Sequence, residues 1–257
     1  MSEKAQAIVI RQADFSESSR VITLFSKEFG KFAVLAKGAK RLKGPFDAAL
    51  DLLSKCRVVF LRKSTGALSL LTQADLVRRF APAPGSLNSL YGGYYVADLL
   101  CGLTEDFDPA PEVFDLTDQC LQKLMETTAK SAADANRNAA VVVVQFEIQL
   151  LVKIGLFPDL RSCCVCGAAV ELDAKFAHWV SQGGLLCSDC RRQEYAGRSV
   201  SGGTVSVLRQ LSESSELAGR LRMTTQQVRE CHQLAVSAIT NTMGRKPGTL
   251  RYLNFPD

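Results

Sequence analysis

"AIVIRQADFSESSRVITLFSKEFGKFAVLAK", residues 7–37, reads as three consecutive strands. Its runs 7–15, 20–26 and 31–37 are rich in β-branched and aromatic residues, and turn chemistry bounds each of them. "KEFGK" (27–31) closes a hairpin between the second and third runs. Downstream, "KCRVVFLR" (55–62) and "ALSLLTQADL" (67–76) supply two further strands, joined through "KSTG" (63–66). The intervening "GAKRLKGPFDAALDLLS" (38–54) has a later part able to form a short helix. Five strands with a helix-capable insert after the third fit the OB-fold, a small, partly open Greek-key barrel. The strand pattern by itself also admits other small barrels.

"FAPAPGS" (80–86) then breaks the pattern with two prolines and a glycine. Beyond it the period becomes helical. Leu87, Leu90, Tyr91, Tyr94, Ala97 and Cys101 line one face of a first helix. Pro111 suits the first turn of a second, which carries Val113, Leu116, Cys120, Leu121 and Leu124 inward. A third buries Val141, Val144, Ile148, Leu151 and Val152 and stops at Lys153, Gly155 and Pro158. The β-branched run Val141–Val144 makes a strand the competing reading; the length and stop signals favour helix. Two more helical patterns close the chain. In the last, Thr224 and Gln227 have capping-box spacing, and Val228, Cys231, Ala235 and Ile239 form the stripe. The expectation is an α+β chain of several domains. An OB barrel occupies 1–80, and a helical domain 81–160 and 199–257 carries an inserted module at 161–198.

The bulk numbers fit a soluble globular protein: 257 residues, 47% hydrophobic and 22% charged. The densest apolar run, "AAVVVVQF" (139–146), is too short to cross a bilayer, and "MSEKAQAIVIRQ" lacks a signal-peptide core. A cytoplasmic location is expected, where structural disulfides are rare. Charge is unevenly placed. Residues 1–80 hold fifteen Lys/Arg against seven Asp/Glu, a balance of +8, whereas the remainder carries −3. A basic first third on an acidic body points to a polyanion-binding module.

Five of nine cysteines fall within "RSCCVCGAAVELDAKFAHWVSQGGLLCSDCRR" (161–192). Cys163 with Cys166, and Cys187 with Cys190, form two C-x2-C knuckles able to complete a four-thiolate shell around one Zn2+. Gly167 and Gly183–Gly184 supply the backbone freedom such knuckles need. Cys164 is the spare thiol, although Cys164 with Cys166 is an alternative pair. His178 is expected to pack beside Trp179 on a strand. A closed four-sulfur shell leaves no open position for catalysis, so the ion is expected to be structural. A redox dithiol pair is the competing use of the same cysteines. His232 falls beside a helical apolar stripe and reads as core.

No phosphate-binding G-x4-G-K-[ST] loop, dinucleotide fingerprint or G-x-S-x-G elbow occurs. Asp47/Asp51 and Asp106/Asp108 are ordinary neighbours on helices and loops. A binding protein, rather than an enzyme, is the expectation. The candidate nucleic-acid contacts are Lys31, Lys37, Lys40, Arg41 and Lys43, leading out of the third strand. Arg62 and Lys63 follow the fourth strand, and Arg11 and Arg20 lie on the first and second. Cations at those positions neutralise phosphates, and Phe15, Phe29 and Phe32 are candidate stacking platforms or core.

The N-terminal "AIVIRQADFSESSRVITLFSKEFGKFAVLAKGAKR" resembles the RecO family of bacterial recombination mediators. So do "LLTQADLVRRF", "FEIQLLVKIGLFPDLRSCCVCG" followed by "GGLLCSDC", and the closing "GTLRYL". The resemblance covers nearly the whole chain. It implies an OB-fold ahead of a helical domain with a zinc module, and no catalytic residues. It also implies binding of single- and double-stranded DNA and annealing of complementary strands. The implied partners are RecR, often RecF, the acidic-apolar tail of single-strand-binding protein and, indirectly, RecA. By position, "AKGAKR" matches the family's basic loop and supports DNA contacts by Lys37, Lys40 and Arg41. The four C-x2-C cysteines match zinc ligands of those members that have the site. The doubled Cys163–Cys164 departs from the usual single cysteine. Another zinc-ribbon nucleic-acid protein, RNA-binding or transcription-related, and a thiol-redox enzyme remain the alternatives.

Overall fold

A computed structural model describes residues 2–41, 46–63, 68–126, 131–169, 175–179, 184–191, 199–213 and 222–255, with the backbone alone at 47–48 and 175–179. The first five strands are β1 (Ser2–Asp14), β2 (Arg20–Ser26), β3 (Gly30–Ala36), β4 (Lys55–Leu61) and β5 (Ser69–Arg78). They close into a barrel in the order β1-β2-β3-β5-β4, the arrangement of an OB-fold. β1 makes the closure possible by its length. Its first half pairs with β4 from Ser2 to Ile8, and its second half with β2 from Ala7 to Asp14. A bulge between Val9 and Arg11 bends it between the two partners. β3 and β5 run parallel, because the insert carries the chain across before β4 begins. The helix-capable part of that insert is a 3-10 turn, Asp47–Leu50, whose Ala49 and Leu50 join Phe46 in the barrel interior.

Side chains alternate in and out along β1, yet neither face near its middle is wet. Val9 points into the barrel core with Ile22, Leu24, Phe32, Val34 and Phe60, while Ile8 and Ile10 join the helical core on the outside. That second core spans α1 (Leu87–Leu103), α2 (Pro111–Glu126), α3 (Ala132–Lys153), α4 (Gly202–Glu213) and α5 (Thr225–Met243). α3 packs against the other four, so Val143, Val144, Phe146, Ile148 and Leu151 are all fully buried. This explains the β-branched run: a central helix needs apolar groups all round. Val141 and Val152 are only half-buried. The predicted stripe of α5, Val228, Cys231, Ala235 and Ile239, is buried, and Thr224 and Gln227 exchange both capping-box hydrogen bonds. Fully buried Glu147 accepts from the Tyr95 hydroxyl at 2.7 Å and lies 3.0 Å from His232 Nδ1. His232 is therefore largely buried, as expected, but in a polar network beneath Phe255, on which it stacks.

The face expected for α1 is corrected. Leu87 is exposed and Leu90, Tyr91, Tyr94 and Cys101 are half-buried, whereas Gly92, Gly93, Tyr95, Val96, Leu99 and Leu100 are buried. The glycines decide it. A Cβ on Gly92 would meet Val143 at 2.9 Å, and one on Gly93 would meet Leu53 at 2.6 Å. The closest packing of α1 is thus where it has no side chain.

The barrel and the helices are joined by charge as well as by apolar contact. Asp118 of α2 takes Lys55 of β4 at 2.7 Å and also Arg78 of β5. One turn earlier, Asp115 takes Lys27 at 2.8 Å. Residues 105–108 lie along β3: Phe107 N–H donates to Lys31 C=O at 2.7 Å, and Phe107 stacks on Phe32 at the barrel end. Gly30, at φ +65°, is required there, since a Cβ would fall 1.9 Å from the Asp108 carbonyl oxygen.

Candidate nucleic-acid interface and metal centre

β6 (Asp159–Cys163) and β8 (Gly184–Leu186) run parallel, each ending at a cysteine knuckle. With β7 (Lys175–Trp179) and β9 (Ser199–Ser201) they form a four-stranded sheet in the order β6-β8-β7-β9. Leu160, Leu185 and Val200 fasten this sheet to the helical core, and Arg209 donates to the Leu160 carbonyl at 2.7 Å. The knuckles therefore stand on the helical domain rather than on the barrel.

The Sγ atoms of Cys163, Cys166, Cys187 and Cys190 lie within 4.8 Å of one another. A tetrahedral ion with metal–sulfur bonds of about 2.3 Å needs sulfurs roughly 3.8 Å apart, and Cys166 and Cys187 are 3.6 Å apart. The donor set fits such an ion. Gly167, at φ +73°, turns the first knuckle, and its N–H donates to Cys163 C=O at 2.9 Å. Cys187 N–H points at Cys163 Sγ at 3.4 Å. Burial alone would raise the Cys163 thiol, but N–H groups of Cys166, Cys187 and Val165 outweigh it and bring it down to about 6. Hydrogen bonds with the Cys166 and Cys187 sulfurs push Cys190 up to about 12. Four thiols that resist sharing several negative charges become compatible once a cation lies between them.

Cys164 is outside this cluster. Its Cβ packs over Gly184, where a side chain would stand 2.8 Å away, and its N–H donates to Leu185 C=O. Of the two adjacent cysteines, the structure groups Cys163 with the other three sulfurs. His178 lies in β7 opposite Leu185; its expected packing beside Trp179 concerns side chains outside the described residues.

The expected cations divide into two groups. Lys31 is engaged within the protein: its ammonium donates to the Cys101 and Thr104 carbonyls at 2.9 and 2.5 Å, and the side chain is 13% exposed. It caps the C-terminus of α1, where orphan carbonyls and the helix dipole favour a cation. Phosphate contact would require breaking that cap. Arg62 lies 4.5 Å above the Phe107 ring, and Lys63 beside it is exposed. Arg11 is exposed on β1 opposite Thr23. Lys43 lies outside the described residues.

The others converge. Arg20, first residue of β2, is in register with Ala36, so it adjoins the start of the loop that carries Lys37, Lys40 and Arg41. That loop is tied to the β1–β2 loop through Lys40 N–H to Ser18 C=O at 3.2 Å. Lys37 and Arg41 are exposed. Lys40 and Arg20 both reach Asp14, at 2.9 and 3.2 Å. The Lys40 hydrogen bond, with Arg20 adding to it, holds the Asp14 carboxyl below its ordinary range. Phe15 follows Asp14 and is 60% exposed. Phe29 and Phe32 are core: Phe32 is fully buried, and both pack on Phe60. Of these three aromatics Phe15 alone is exposed, and it follows Asp14, on which Lys40 and Arg20 converge, with exposed Lys37 and Arg41 on the same loop as Lys40. Sequence reading missed Asp14, whose spacing from Arg20 and Lys40 signals nothing until β1 pairs with β2.

No described helix is long and apolar enough to cross a membrane. Residues 1–80 match the model for the recombination protein O N-terminal domain, and residues 84–251 the C-terminal one. The chain is 38% identical to the DNA repair protein RecO of Rhodopirellula baltica, over 82% of this chain and 75% of that protein. It is 31% identical to the RecO of Desulforamulus reducens over 81% of this chain and 76% of that one. Against the RecO of Myxococcus xanthus the identity is 30% over 81% of each. With the two domain models matched in order over nearly the whole chain, and relatives of this name at 30–38% identity, the chain belongs to the RecO family of DNA repair and recombination proteins.

Proposed function

We propose that this chain is a non-enzymatic recombination mediator acting in the cytoplasm. It binds single- and double-stranded DNA at the barrel rim and anneals complementary strands. With RecR, and RecF where present, it helps load RecA onto DNA coated by single-strand-binding protein, whose acidic-apolar tail it engages. The observation that carries this reading is the rim itself, an exposed Phe15 next to Asp14, where Arg20 and Lys40 meet, and a loop that also carries exposed Lys37 and Arg41. The cations neutralise phosphates, the ring stacks on any base, and pairing between strands supplies the specificity. Lowered repulsion lets a second strand approach the first. Lys63, Arg62 and Arg11 extend the positive field. Zn2+ held by Cys163, Cys166, Cys187 and Cys190 braces the 161–198 module against the helical domain of 81–160 and 199–257, while the barrel of 1–80 meets DNA.

The test is annealing of complementary strands, bare and coated with single-strand-binding protein, by wild type and by Lys37→Ser/Lys40→Ser/Arg41→Ser. The variant should fold normally and lose most annealing. Unchanged annealing by the triple variant overturns the rim assignment. Parallel affinities for RNA and DNA decide against a transcription or RNA-binding role if DNA is bound at least as tightly.

A further inference from the structure

α5 ends at Gly244 in the left-handed conformation, and the chain turns back through Arg245, Lys246 and Pro247 into a 3-10 turn, Gly248–Tyr252. This tail is held, not loose. Asp98 of α1 accepts from Thr249 N–H and Oγ1 at 3.2 and 3.0 Å, and Asn88 exchanges hydrogen bonds with the Asn254 backbone. The Tyr252 ring stacks on Tyr91 at 5.3 Å, Tyr94 meets Tyr91 edge-on, and the Arg251 guanidinium lies 4.8 Å from the Tyr252 ring. Tyr252 is nevertheless 44% exposed. Arg245, Lys246 and Arg251 of the same tail are exposed as well. Among the described residues one acid, Asp98, comes within ion-pair distance of any of them, 3.9 Å from Arg245.

This ledge adjoins the barrel. Met243, at the end of α5, packs against Gly102 at the end of α1, where the Lys31 ammonium also lands. α1 packs on β1, and the charge of Arg11 bears on Cys101 at that same helix end. Arg11 is three residues, about 10 Å, down β1 from Asp14 and the rim. Exposed cations therefore lie at the rim, at Arg11 on the strand packed against α1, and at Arg245, Lys246 and Arg251 on the tail that runs back along α1. A surface that presents several exposed cations beside a fixed aromatic stack suits a single-stranded nucleic acid.

We infer that a single strand held at the barrel rim continues past Arg11 onto the C-terminal ledge. There Arg245, Lys246 and Arg251 take phosphates, and the Tyr252 stack takes a base. The inference rests on the proposed rim. It makes the helical domain part of the DNA track, so a strand that spans both sites is bound across the two domains.

The test compares oligothymidylates of about 8 and about 30 nucleotides, since one OB barrel covers roughly 4–16. Arg245→Ser/Lys246→Ser/Arg251→Ser should bind the short strand like wild type and the long strand at least tenfold more weakly. Its log–log salt slope on the long strand should fall by about 2, from three lost single-strand contacts. Tyr252→Leu should weaken the long strand and keep the slope. Long-strand affinity and slope equal to wild type in the charge variant overturn the inference, including when that variant has lost binding to an acidic peptide instead. If Lys37→Ser/Lys40→Ser/Arg41→Ser leaves short-strand binding intact, the rim falls and the track falls with it.

Discussion

Asp118 is the residue whose loss should do most to separate the barrel from the helices. Its carboxylate is 16% exposed and receives Lys55, 13% exposed, and Arg78, 26% exposed. Lys55 and Arg78 face each other across β4 and β5 in register. Asp118→Asn leaves two adjacent cations without their counter-charge in a largely desolvated interface. Removing one partner of a fully buried pair costs about 3–5 kcal/mol. Arg78 retains some water here, so about 2–3 kcal/mol is expected, discounted from that range. For a chain of this size that lowers Tm by roughly 4–12 °C. Lys55→Met should cost less, because Asp118 keeps Arg78. Denaturant unfolding of both single variants and the double gives the coupling, expected at about 1.5 kcal/mol or more. A coupling under about 0.5 kcal/mol would refute the claim that the ion triad holds the two parts together. So would wild-type protein that unfolds in two separate transitions, barrel and helices apart.

Further outcomes follow from other sites. Asp14 occupies the position a phosphate would take between Lys40 and Arg20, so Asp14→Asn should tighten single-strand binding several-fold and steepen its salt dependence. Equal affinity would show that those two cations do not meet DNA. Glu230 is pulled against its partial burial by hydrogen bonds from Thr204, Gln226 and Ser201, which together lower its pKa from 4.5. The native carboxylate thus holds its proton less tightly than the unfolded one. Its contribution to stability is complete above 4.5 and is lost as pH falls through the native value. The stability gap between wild type and Glu230→Gln should accordingly close in acid; a gap that widens there would contradict the sign. Chelation should raise hydrogen exchange in β6 and β8 first, with short-strand binding preserved. Loss of that binding in step with the metal would mean that the cysteine sheet is more than a brace.

Much of the barrel could be read from sequence because strand period and turn residues are local. All five strands were expected, although β1 begins five residues earlier than its expected start at 7, and the C-x2-C spacing named the four sulfurs that come together. What failed depended on contacts between distant segments. The face of α1 was assigned by its large apolar residues, whereas Gly92 and Gly93 set it by letting Val143 and Leu53 approach. The +8 balance of residues 1–80 pointed to a polyanion-binding module. Part of it faces the helices: Lys27, Lys55 and Arg78 pair with acids of α2, and Lys31 caps α1. No periodicity marks a lysine as facing a helix that begins dozens of residues later. Phe15, Phe29 and Phe32 were equivalent as letters; pairing of β2 with β3 buries Phe32 and sets half-buried Phe29 against Phe60, while Phe15 stays exposed.

The central claim is that the positive rim, with Phe15, binds single-stranded DNA chiefly through its phosphates. The most direct measurement is the affinity of wild type and Lys37→Ser/Lys40→Ser/Arg41→Ser for one short single strand across a salt series. Wild-type affinity should fall linearly on log–log axes, and the triple variant should be weaker with a slope smaller by about 2. A wild-type affinity indifferent to salt, or a variant with the wild-type slope, would contradict the account.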